Sequence, residues 1–322
     1  MAVGGIELEL SNLILLCPHS FALSSTRATN ILSFLTSPIV WRSEVGKIIA
    51  KFVRIGIVVG SVSINAGPSF AQEDTDNPQV IASEKSIRAA ASRSINLFKR
   101  SSVRYLKERK CPSCHHQTMS LMVFKTARRA GFKIDNLESK RQVERVSGFY
   151  NTRRARFESE VVKLPITPVG YHLWSLDLGG HQPDDLTKVM TTALLKNQNE
   201  LGHWKRRDYR PPASATSFTS NYVAIRALNR YGTTEQKEQI AIRAAAVRNW
   251  IDETSAHDTE DQVFRLRLAY ELKLPPEKRK EFVERLKKEQ HASGGWSQKP
   301  DMQPDAYATG TVLVALHEAG HV

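Results

Sequence analysis

The chain has 322 residues, with 46 Lys and Arg against 33 Asp and Glu, a formal net charge of +13. A hydrophobic fraction of 41% and a charged fraction of 25% are those of a globular protein and exclude disorder as the default state. Three cysteines are too few for a disulfide-built fold, and no aromatic-basic motif points to a nucleic acid.

In chain order, Lys47, Lys51 and Arg54 precede an apolar run from Ile55 to Ile64. Asn65, Gly67 and Pro68 follow, then Ser69-Phe70-Ala71 ahead of Gln72-Glu73-Asp74. A basic stretch, an apolar stretch and small residues at −3 and −1 form the pattern of a secretory signal peptide, cleaved after Ala71. The run falls short of the about 20 apolar residues a membrane helix needs, and a retained anchor is the alternative. The expectation is an exported, periplasmic protein with a leader at 45–71 and residues 1–44 ahead of the true start. There the positive charge favours peripheral association with anionic envelope membranes over binding of nucleic acid. Residues 72–82, polar and containing Pro78, read as a linker.

From residue 83 the helical periodicity is nearly continuous, and no alternating strand occurs. The spacing predicts an all-α domain over 83–322, with helices near 83–108, 116–130, 136–160, 168–179, 184–198, 217–231, 234–252, 258–273, 276–290 and 304–319. Thr167-Pro168 reads as an N-cap followed by a first-position proline. Thr233 with Gln236, and Asp258 with Asp261, read as capping boxes. Gly131, Gly179-Gly180, Gly232 and Gly320 stand where glycine caps end helices. The helices alternate in kind. Segment 276–290 carries a narrow stripe (Phe282, Val283, Leu286), whereas 304–319 is apolar nearly all round. Polar outer helices alternating with apolar inner ones predict hairpins around a common centre, as in repeat architectures.

Two motifs stand out. Cys111-Pro112-Ser113-Cys114-His115-His116 matches the attachment pattern of c-type haem, with Cys111 and Cys114 as thioether donors and His115 as axial ligand. Met119, Met122 and His172 are candidate distal ligands. The alternatives are a disulfide or redox pair, a zinc site of Cys111, Cys114 and His116 with a fourth ligand such as His172 (His115 being a further candidate metal ligand), and thiols without a ligand. The second motif occurs twice: Gln198, Gly202 and Trp204 share the spacing of Gln290, Gly294 and Trp296. Each copy links an outer helix to an inner one, where glycine permits a tight turn and the Trp ring can stack on the Gln amide and cover a helix end.

This Q-x-x-x-G-x-W signature resembles the QW repeat of squalene-hopene cyclases and the related prenyltransferase/squalene-oxidase repeat family. The Cys111–His116 segment, Arg210-Pro211-Pro212, Thr259-Glu260-Asp261 and Asp305-Ala306-Tyr307-Ala308-Thr309-Gly310 look like a bacterial secreted subgroup of it. The resemblance covers about residues 84–320 and implies an α/α-toroid. A full toroid has six outer-inner pairs; the periodicity supplies five, so an open, C-terminally truncated ring is expected. The cyclases' D-x-D-D acid motif is absent, as is any cysteine beyond Cys114 for the zinc site of protein prenyltransferases.

The resemblance further implies that the N-terminal ends of the inner helices meet at a central cavity. That would gather Tyr171, His172, Phe218, Glu260, Asp261, Asp305 and Tyr307 near His115 and His116. Asp305 is either a helix cap or a general acid whose pKa is raised by desolvation. Phe124, Trp174, Tyr222, Phe264 and Tyr307 could line a cavity or simply be core. Arg265 and Arg267 are candidates for an anionic headgroup. The leading expectation is a secreted toroid that binds a small apolar or isoprenoid ligand. A haem or redox electron-transfer protein and a non-catalytic scaffold are the alternatives.

Overall fold

The computed structural model describes residues 82–159, 165–205 and 216–321. The leader at 45–71, linker residues 72–81 and the Arg210-Pro211-Pro212 segment lie outside the described residues. Every regular element among the described residues is helical, and none is a strand. Helix α1 is Glu84–Glu108. A π-helical turn, Cys114–Thr118, then runs into α2, Met119–Arg129. Next come α3 (Asn136–Asn151), α4 (Arg154–Glu158), α5 (Ile166–Leu178), α6 (Asp185–Lys196) and α7 (Ser217–Tyr231). A 3-10 turn, Thr234–Gln236, leads into α8 (Lys237–Glu253), followed by α9 (Thr259–Glu271) and α10 (Pro276–Lys288). The last helix, α11 (Ala306–Ala315), ends in a second π-helical turn, Leu316–Gly320.

Local chemistry sets most of these boundaries. The Thr233–Gln236 capping box forms in full. Asp258 accepts from Asp261 N at 2.8 Å, but the Asp261 carboxylate reaches back to His257 N at 2.9 Å, one residue earlier than a strict box requires. Four expectations are corrected. Helix α5 starts at Ile166 after Pro165, so Pro168 is its third residue, where a missing N–H still goes unnoticed in the first turn. The expected helix 136–160 breaks at Thr152-Arg153, whose side chains both donate to Phe149 O and draw that carbonyl from the helix ladder. Gly232 is extended, with φ −60°, so no left-handed cap ends α7. At the last helical turn the left-handed residue is His321, φ 57°, and not Gly320.

Burial separates the helices as their patterns demand. In α9 nearly every residue from Thr259 to Ala269 is buried, whereas α10 buries only Phe282, Val283 and Leu286. The apolar helices pack in series: the Cys114–Thr118 turn against α5, α5 against α7, α7 against α9, and α9 against α11. A Cβ on Gly170 of α5 would lie 2.4 Å from Val223 Cγ2 of α7, so glycine is what permits that close approach. The more polar α1, α3, α6 and α10 flank α2, α5, α7 and α9 respectively. Fully buried side chains such as Leu173, Leu176 and Ile225 each stabilise the core by about 2 kcal/mol. A smaller cluster, including Ala91, Ile95, Phe124 and Ala127, joins α1 to α2 apart from the main core.

The paired motif forms the same structure twice. Trp204 Nε1 donates to Leu194 O at 2.8 Å, and Trp296 Nε1 to Leu286 O at 2.7 Å; each carbonyl is in the last turn of the preceding helix. Gln198 and Gln290 donate to the carbonyls of Gly202 and Gly294, which take φ of 79° and 84°. Trp204 N donates to Asn221 of α7, and Trp296 N to Thr309 of α11. Each Trp thus adds a second donor to a last-turn carbonyl, which also accepts from Asn197 N or Glu289 N, and ties its own backbone to the next helix. No described helix is long and apolar enough to cross a membrane.

Candidate functional site

A cavity of about 400 Å³ lies among α2, α5, α7, α9 and α11 with its terminal turn. Each helix contributes residues four apart, the spacing that aligns side chains along one helix face. The pairs are Lys125 and Arg129, Trp174 and Leu178, Tyr222 and Arg226, Arg267 and Glu271, and Val314 and Glu318. Met122 and Val314 add apolar wall, and His317 adds a titratable ring.

Arg267 is the organising charge. Its side chain is 10% exposed, and its guanidinium carbon lies 4.9 Å from the Tyr222 ring, 5.3 Å from Trp174 and 5.8 Å from Phe264. These rings also touch one another, Trp174 with Tyr222 at 5.5 Å and Tyr222 with Phe264 at 5.4 Å. Burial opposes its charge, but Tyr222, Glu318 and Tyr171 outweigh that and raise its pKa above the ordinary value. Arg267 Nη2 donates to Glu318 Oε2 at 3.1 Å. Arg226 also sits over Trp174, at 5.0 Å, held between Asp177 at 2.6 Å and Glu271 at 3.1 Å.

The residues expected at the cavity are buried elsewhere in the core. None of Tyr171, His172, Phe218, Glu260, Asp261 and Tyr307 lines this cavity. The Tyr307 hydroxyl donates to both Glu260 oxygens at 3.2 Å. Burial pushes Glu260 up to about 8, with Asp258 and Asp261 adding to it and Tyr307 and Arg267 opposing. Burial and Glu260 together raise Tyr171 and Tyr307 well above an ordinary phenol. Asp261 is raised chiefly by burial. His172 turns away to Tyr150, whose hydroxyl meets its Nδ1 at 2.7 Å, and burial pushes it down to about 3. Phe218 packs on Trp250 at 4.8 Å.

Asp305 caps α11. Its Oδ1 accepts from Tyr307 N at 2.8 Å and Ala308 N at 3.0 Å, and its Oδ2 accepts from Gln298 at 3.0 Å. Both oxygens are therefore engaged as acceptors, while the carboxyl with the environment of a buried acid is Glu260. Arg265 lies over Phe282 at 4.4 Å and donates to Ile251 O, outside the cavity lining.

The cysteine motif opens the π-helical turn that contains His115 and His116. Cys111 is exposed, Cys114 is half-buried against the core, and no disulfide joins them. Tyr105 bonds Cys111 Sγ at 3.5 Å, and burial followed by that bond pushes the phenol up to about 12. The His116 ring stacks on Tyr105 at 4.2 Å, with Nδ1 3.3 Å from Ser113 Oγ. Among the described residues no group of three His, Cys, Asp or Glu side chains is placed to hold a metal ion. Met122 lines the cavity, but neither cysteine does.

Sequence reasoning reached Trp174, Tyr222 and Arg267 but missed Lys125, Arg129, Arg226, Glu271 and Glu318. The four-residue spacing on the five apolar helices is the signal that would have found them. Comparisons with known protein families, with curated proteins and with solved structures give no match for the chain.

Proposed function

We propose that the described domain is an α/α-toroid of five outer-inner helical pairs, similar to the squalene-hopene cyclase and prenyltransferase repeat family, whose central cavity binds a small apolar or isoprenoid ligand. The observation that carries this reading is that all five apolar helices line one cavity. Its volume of about 400 Å³ is within the range of small-molecule sites, roughly 300–1,000 Å³. Met122, Trp174, Leu178 and Val314 supply the apolar wall.

The chemistry is binding without cyclisation. A cyclase needs a strong acid and open aromatic faces for a carbocation. Here Asp305 is committed to capping, and Trp174, Tyr222 and Phe264 already surround the guanidinium of Arg267. A resident cation on those faces repels a second one. The haem and zinc readings of Cys111, Cys114 and His115 gain no support from a cavity that excludes both cysteines or from a His116 ring stacked on Tyr105.

Calorimetric titration of the full chain with farnesol tests the reading. Saturable one-site binding is expected, with Leu178→Trp and Val314→Trp abolishing it while circular dichroism stays unchanged. Absence of binding, or equal binding by both cavity-filled variants, would overturn it.

A further inference from the structure

We propose that the ligand of this cavity is an amphiphile with an oxyanion head, which Arg267 receives in exchange for the carboxylate of Glu318. The inference rests on the binding reading above and names the chemistry of its ligand.

The Arg267–Glu318 pair is unequal. Arg267 is 10% exposed and enclosed by Trp174, Tyr222 and Phe264, so it cannot leave its place. Glu318 is 55% exposed and offers one oxygen at 3.1 Å. It rides on the π-helical turn Leu316–Gly320, which ends at His321 in the left-handed region. The exchangeable partner is therefore the anion. A buried guanidinium without an anion is costly, which explains why a chain carboxylate sits there. That carboxylate uses a single contact where a phosphate or carboxylate can engage the planar fork through two parallel bonds.

The surroundings favour the same class of head. Lys125 and Arg129 line the cavity from α2, and Arg226, held between Asp177 and Glu271, lines it from α7. Once Glu318 has moved aside, Glu271 is the acidic side chain left in the lining, against four basic ones. Apolar wall from Met122, Leu178 and Val314 lies in the same cavity and suits the tail. A neutral alcohol would gain only the wall, and a cation would meet Arg267 on the faces it needs. Glu318 thus acts as a built-in competitor that sets the affinity.

The test compares farnesol, farnesoic acid and farnesyl phosphate by calorimetry on the full chain, so that one tail carries three heads. Both acids are expected to bind about tenfold more tightly than farnesol. Glu318→Gln, at a half-exposed position, should tighten both acids several-fold relative to farnesol. Arg267→Met should reduce the acids to the level of farnesol, and Arg267→Lys, which keeps the charge, guards against a folding failure by retaining part of the preference. Whichever acid binds better identifies the head as carboxylate or phosphate, and either order supports the proposal. Acids no tighter than farnesol, or unaffected by Glu318→Gln, would overturn it and leave the binding reading standing. If none of the three binds, the binding reading itself is lost.

Discussion

The two Trp connections, 198–204 and 290–296, make the same hydrogen bonds in unequal surroundings. At the first, Gln198 also donates to Arg243 O of α8 at 3.0 Å, and Arg243 returns a bond to Gln198 Oε1 at 3.3 Å. A Cβ on Gly202 would lie 2.8 Å from Ala246 Cβ of the same helix. His203 stacks on Trp250, again of α8, at 5.0 Å. At the second connection Gln290 is exposed, and a Cβ on Gly294 would meet nothing within 4 Å. No described helix covers it as α8 covers the first. The geometry is therefore encoded by seven residues and two helix ends, and a covering helix adds burial without changing it.

The contrast can be broken by paired substitutions followed by urea unfolding. The largest effect is expected at the rings. Trp204→Ala should cost about 4–5 kcal/mol and Trp296→Ala about 3 kcal/mol, both from lost burial and the lost indole hydrogen bond to a helix carbonyl. Equal costs would mean that the cover from α8 stabilises nothing. Next come the glycines. Gly202→Ala combines left-handed strain with a clash against Ala246 and should cost about 3 kcal/mol. Gly294→Ala meets open space and should cost about 1 kcal/mol, the strain alone. The smallest pair sharpens the same point: Gln198→Ala, which strands Arg243, should cost about 1–2 kcal/mol, and Gln290→Ala about 0.5 kcal/mol.

The all-helical fold and the Trp connections were legible because both are local. Periodicity of 3.6 residues, cap residues and a seven-residue turn act over distances the sequence displays directly. Helix breaks were harder. The kink at Thr152-Arg153 comes from side chains competing for one carbonyl, and the π-helical turns carry no cap signal. The site was half legible for a geometric reason. Attention fell on helix N-termini, where Glu260, Asp261 and Asp305 collect, yet the described cavity opens further along the same helices at Trp174, Tyr222 and Arg267. A charged residue such as Glu318 reads as solvent-facing until the helix beside it supplies Arg267.

The buried Glu260 carboxyl has a consequence for the folding reaction itself. Its ordinary value is 4.5, and the folded chain holds it near 8. Between those limits the unfolded chain has released a proton that the folded chain keeps, so stability falls as pH rises, by up to about 1.4 kcal/mol per pH unit. Glu260→Gln should flatten that slope in urea unfolding between pH 6.5 and 8. His172 works in the opposite sense: pushed from 6.5 down to about 3, it makes stability rise with pH across that interval. The two slopes offset each other between about pH 4.5 and 6.5 and leave a plateau there. Above it the His172 contribution has ended and that of Glu260 continues, so at neutral pH folding keeps on this carboxyl a proton that the unfolded chain releases to the buffer.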